Sequence, residues 1–153
     1  GLGLLAVLMG SIAAGDQMLL SVFRGLTSAL FLGVVTDAML LGHWYLVQPG
    51  LVRAPIHELV KWTGILWVAE TIAMLIPTGM VSVWTGTIDD AYNGLLGWFW
   101  LACVVTTIGL VLVTRAALKG REYSAVMAAT GLMYLAILTA FGQDLVARIL
   151  LDN

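Results

Sequence analysis

A chain of 153 residues in which 61% are hydrophobic and 10% charged lies outside the range of soluble domains, where charged residues alone make up about 25%. Seven Lys and Arg against nine Asp and Glu give a net charge of -2, which leaves no basic footprint for nucleic acid. The lone cysteine, Cys103, excludes an internal disulfide, a CxxC pair and a thiolate metal cage.

The mean hydropathy of +1.00 and apolar runs long enough to cross a hydrocarbon core predict an all-α integral membrane protein. The runs lack the ten-residue alternation of a membrane barrel. A single domain over residues 1–153 is expected, a bundle of about five transmembrane helices with short loops. The spans are placed at about 2–23, 26–47, 59–83, 95–118 and 123–147.

The first span opens like the apolar core of a signal peptide, but no basic residue precedes it, so a retained helix is expected. Asp16 and Gln17 interrupt it, and Arg24-Gly25 marks its end. The second span carries Asp37 in its middle and Gly42-His43-Trp44-Tyr45 near its end, before the turn formers from Gln48 to Pro55. The third holds Trp62, Trp67 and Glu70, with His57 just ahead of it. Gly86 to Gly94 separate it from the fourth, which contains Cys103. Lys119-Gly120-Arg121 lead into the fifth, where Gln143 and Asp144 lie near the end.

Five spans put Arg53, Lys61, Arg115, Lys119 and Arg121 on one side, and Arg24, Arg148, Asp89 and Asp90 on the other. The preference of basic loops for the cytoplasm then places the N-terminus inside and the C-terminus outside a bacterial inner membrane. A four-span arrangement with a re-entrant first segment would put the N-terminus outside. Small residues spaced four apart, such as Ser124 with Ala128, suit close helix packing.

Asp37 and Glu70 each stand eleven residues into their expected spans, so antiparallel neighbours would bring both carboxyls near the midplane. With no Lys or Arg at that depth, one or both would be protonated at neutral pH. Together with Asp16 and Asp144 they are candidates for a proton relay or for buried polar contacts. The plainer reading is a hydrogen bond from each acid to Thr63, Thr71, Thr106, Thr107 or Tyr134.

His43, Trp44 and Tyr45 are the candidate cofactor-binding residues. A buried imidazole there can ligate a haem iron, hydrogen-bond a quinone carbonyl or accept a proton. The plain alternative is a hydrogen-bonded structural His43. Most other aromatics fit a headgroup-level belt.

No nucleophile elbow, zinc spacing or phosphate loop is present, so no catalytic activity of the chain alone is expected. The leading expectation is a non-catalytic membrane subunit of a larger respiratory or photosynthetic electron-transfer complex. It would pack against other membrane subunits and the lipid bilayer, and line a quinone, haem or pigment site. The alternatives are a proton- or ion-conducting protein using midplane carboxylates, and a purely structural or assembly protein.

Overall fold

In a computed structural model the described residues are 18–48, 50–76 and 79–151, and every regular element among them is helical. Helix α1 spans Met18–Val47, α2 Ala54–Leu75, the short α3 Val81–Trp84, α4 Leu95–Ala117 and α5 Tyr123–Leu151. Three of them, α1, α4 and α5, are long and apolar enough to cross a membrane. Helix α2 is about 33 Å long at 1.5 Å per residue, and carries Glu58, Lys61 and Glu70.

The four long helices form a ring in which α1 touches α2 and α5, and α4 touches α2 and α5. Short links make sequential neighbours antiparallel. Arg53, in the α1–α2 link, donates from Nη1 to the Gly120 carbonyl at 2.8 Å, and from Nη2 to those of Arg121 at 2.9 Å and Glu122 at 3.1 Å. Tyr123 Oη donates to the Leu46 carbonyl at 2.9 Å. These bonds hold the α1–α2 and α4–α5 links together at one end of the bundle.

Burial repeats along α5 at Val126, Ala129, Met133, Ala136, Ala140, Gln143 and Ala147, the three-and-four spacing of an inward helix face. The alanines in that seam let helices approach closely. A Cβ on Gly42 would stand 2.7 Å from Thr130 Oγ1, so α1 and α5 meet there with no room for a side chain. Ser124 and Ala128, spaced for packing in the sequence, are instead exposed. The outer faces remain apolar: Leu30, Leu40, Ile65, Val68, Val105, Leu112, Leu138 and Phe141 are all exposed.

Three expected boundaries are corrected. No break occurs at Arg24-Gly25: α1 runs through both residues, because the Arg24 guanidinium finds carbonyl acceptors at Ala73, 3.1 Å away, and Ile76, 2.5 Å away. The expected 59–83 span starts earlier, at Ala54, and its helix ends at Leu75. Beyond it Met80 N donates to the Met74 carbonyl at 3.0 Å. Gly79 has φ 32 and presses its backbone on that same carbonyl, where a Cβ would overlap it. The last helix continues past 147 to Leu151. The remainder of the expected first span lies outside the described residues.

Candidate functional site

The buried polar groups concentrate toward the end opposite Arg53. Ser28 Oγ donates to Glu70 Oε1 at 2.6 Å, joining α1 to α2, and Glu70 is fully buried. On α5, Arg148 Nε donates to both carboxylate oxygens of the largely buried Asp144, at 3.0 and 3.1 Å. Gln143 is buried beside it. One turn nearer the end, Ser21, Arg24, Met74, Ala147, Arg148 and Leu151 line a narrow crevice.

The layers match across three helices. Arg24 precedes Ser28 by four residues on α1, Met74 follows Glu70 by four on α2, and Arg148 follows Asp144 by four on α5. Residues four apart stack on one helix face, so Ser28, Glu70 and Asp144 lie directly beneath the crevice. Trp100 packs with Met74, Val146 and Ala147 in the same region. Among the described residues, Glu70 Oε2, Thr71 Oγ1, Gln143 Oε1 and Trp100 Nε1 are buried without a hydrogen-bond partner.

Asp37 is not part of this layer. It is exposed on α1, nine residues from Ser28 and thus about 13.5 Å along the axis. The antiparallel pairing therefore does not bring Asp37 and Glu70 together. Their apparent equal depth came from the assumed start of α2; counted from the α1–α2 link, Asp37 lies ten residues before Val47 and Glu70 sixteen after Ala54.

His43, expected to be buried, is exposed; its Nδ1 lies 3.5 Å from Tyr134 Oη, with the rings edge to face at a centroid distance of 6.5 Å. Trp44 is exposed as well. Tyr45 is buried, and its hydroxyl donates to the Val52 carbonyl in the α1–α2 link. His43 and Trp44 thus lie on the bundle's surface, while Tyr45 braces a loop. Asp16 lies outside the described residues. Among the described residues no group of three or more His, Cys, Asp or Glu could hold a metal ion.

Ser28 was missed by sequence reasoning, because a hydroxyl in an apolar run gives no signal until the helix register is known, and Arg24 was read only as the end of a span. The Asp144–Arg148 pair did have one, the four-residue spacing that makes opposite charges neighbours on a helix.

The α3–α4 loop holds another carboxylate. Asp90 accepts the backbone N–H groups of Gly94 at 2.8 Å, Leu96 at 3.0 Å and Tyr92 at 3.1 Å. These bonds, that from Gly94 foremost, hold its pKa below the usual carboxylate range against the opposing effect of desolvation. The loop includes left-handed Ala91 and Asn93 ahead of Gly94 at φ 82, so Asp90 fixes the entry to α4.

The fold and its polar layer define an all-helical bundle with three membrane-length apolar helices. Compared with known protein families, curated proteins and solved structures, the chain finds no match.

Proposed function

We propose that this chain is an integral membrane subunit that packs against other membrane-embedded helices and has no catalytic activity alone. One observation carries the proposal: Asp37 is exposed on α1 among exposed apolar neighbours, Leu30, Leu40 and Trp44, in a helix of membrane-crossing length. A charged group facing lipid at mid-span costs about 2.5–3.5 kcal/mol on insertion scales. A helix of another subunit that supplies a hydrogen-bond donor removes most of that cost.

The surface pair His43–Tyr134, with Trp44 exposed beside it, supports a contact for a quinone, haem or pigment shared with such a subunit, in a respiratory or photosynthetic complex. The bundle end carrying Arg53, Arg115, Lys119 and Arg121 belongs in the cytoplasm by the bias of basic loops, which puts the C-terminus outside a bacterial inner membrane. With α1 unbroken through Arg24-Gly25, the proposal takes four crossings, by α1, α2, α4 and α5. A relay through Asp37 and Glu70 draws less support, since Phe31, Val35, Ala38 and Ala140 form a continuous apolar core between the Glu70 layer and the Arg53 end.

Mild-detergent purification through a tag on this chain, with visible spectroscopy and mass spectrometry of what accompanies it, tests the proposal. Redox subunits with haem or pigment bands are expected. A colourless, stable monomer would overturn it.

A further inference from the structure

The link between α3 and α4 frames an open cleft of about 460 Å³, lined among others by Trp84 at the end of α3, Asp89, Asp90 and Asn93 in the loop, and Trp98 in the first turn of α4. The Trp84 and Trp98 ring centroids are 6.3 Å apart, with the planes tilted at 53°. Trp84 is held by α4: a Cβ on Gly97 would stand 2.7 Å from its Nε1, and the Trp100 ring lies 6.0 Å from its own, centroid to centroid. Both cleft indoles keep exposed surface. Two rings this close let one cation lie within about 6 Å of both, the range of the cation–π attraction for which tryptophan is the best partner.

The cleft is acidic and has no cation of its own. Asp90 is buried and its carboxylate is given over to the N–H groups of Tyr92, Gly94 and Leu96. Asp89 is exposed, and only its Oδ1 is engaged, by the Ala91 N–H at 2.9 Å. Among the described residues the ion pairs are Glu58–Lys61 and Asp144–Arg148, and neither Asp89 nor Asp90 belongs to one. Arg53, Lys61, Arg115, Lys119 and Arg121 lie toward the opposite end of the bundle. Asp89 thus brings to the cleft a charge and an oxygen that the loop does not use.

Depth selects the source of the cation. Trp98 stands in the first turn of a helix of membrane-crossing length, the level at which tryptophans meet lipid headgroups. We propose, resting on the membrane reading above, that the Trp84–Trp98 cleft binds a zwitterionic phospholipid by the primary ammonium of its headgroup. The ammonium lies against the two indoles and donates an N–H to Asp89 Oδ2, while the phosphate stays outside, away from both carboxylates. A headgroup with negative charge alone is disfavoured there by like-charge repulsion.

The test is native mass spectrometry of the full chain in detergent micelles, supplied with equal amounts of phosphatidylethanolamine and phosphatidylglycerol of the same acyl chains. The wild type is expected to retain phosphatidylethanolamine in preference by about fivefold or more. Asp89→Asn keeps an oxygen for the Ala91 N–H but removes the charge, and Trp98→Leu removes an exposed indole; each is expected to bring the ratio close to one. Trp62→Leu, an exposed tryptophan of α2 far from the cleft, is expected to leave the preference intact. Equal retention of the two lipids by the wild type, an undiminished preference in Asp89→Asn or Trp98→Leu, or an equal loss in Trp62→Leu would overturn the site and leave the membrane reading standing. Displacement by equimolar free ethanolamine would assign the cleft to a soluble cation and overturn the lipid. A chain that stays soluble and monomeric without detergent would overturn the membrane reading and the site with it.

Discussion

Ser28 on α1 gives its hydroxyl proton to Glu70 on α2 across 2.6 Å, forty-two residues apart in sequence, and both are fully buried. Ser28→Ala leaves a second carboxyl oxygen of Glu70 unpaired. The expected loss is about 1–3 kcal/mol, read as a lower unfolding midpoint in detergent. Thr36→Ala is the control, because the Thr36 hydroxyl only returns to the Leu32 carbonyl of its own helix. Equal midpoints for the two variants would show that the Ser28 bond contributes nothing particular.

Helix approach at Gly42 gives a second prediction. Gly42→Ala pushes a methyl to 2.7 Å from Thr130 Oγ1, and overpacking of this kind costs about 1–3 kcal/mol. Gly33→Ala on the same helix meets nothing within 4 Å, and replacing a helical glycine by alanine gains roughly 0.5–1 kcal/mol. Opposite shifts in the unfolding midpoint are expected from the two substitutions.

The Asp90 loop predicts a pH dependence. The folded carboxyl has a lowered pKa because Gly94, Leu96 and Tyr92 donate to its ionised form. Its contribution is therefore fully present above the ordinary carboxylate value of about 3.9, and is lost as pH falls through the lower folded value. Asp90→Asn is expected to unfold more easily than the wild type at neutral pH, with the gap narrowing as pH drops below about 4. Unfolding midpoints across that range check this; a gap independent of pH would deny the carboxylate its role.

Topology is open to labelling from one side. A cysteine at Lys119 is expected to resist a membrane-impermeant thiol reagent in intact cells, and one at Asp89 to react, with the buried Cys103 silent in both. Reaction at position 119 from outside would invert the orientation.

The later helices were legible in the sequence because apolar runs bounded by turn formers leave little choice. The expected 95–118 and 123–147 spans and the observed Leu95–Ala117 and Tyr123–Leu151 share their starts. Arg24-Gly25 misled because an arginine beside a glycine looks like a membrane edge, whereas the helix passes through and Arg24 satisfies the carbonyl end of α2 instead. Glu70 could be singled out as an intramembrane acid, but its partner could not. Register between antiparallel helices is counted from their link, and an error of five residues at the start of α2, Ala54 rather than 59, moved Glu70 to a false level beside Asp37. His43 failed for a different reason: in an apolar run, composition does not say which face turns outward.

The most direct measurement of the central claim is the size and composition of the native assembly, taken from membranes in mild detergent, for the wild type and for Gly33→Leu. Position 33 is open in this chain and lies one turn from Asp37, so a leucine there obstructs only what packs outside the bundle. A larger assembly with other membrane proteins is expected for the wild type, and release of a folded, free chain for Gly33→Leu. A wild-type chain that runs alone, folded and unchanged by Gly33→Leu, would contradict a role as a membrane subunit.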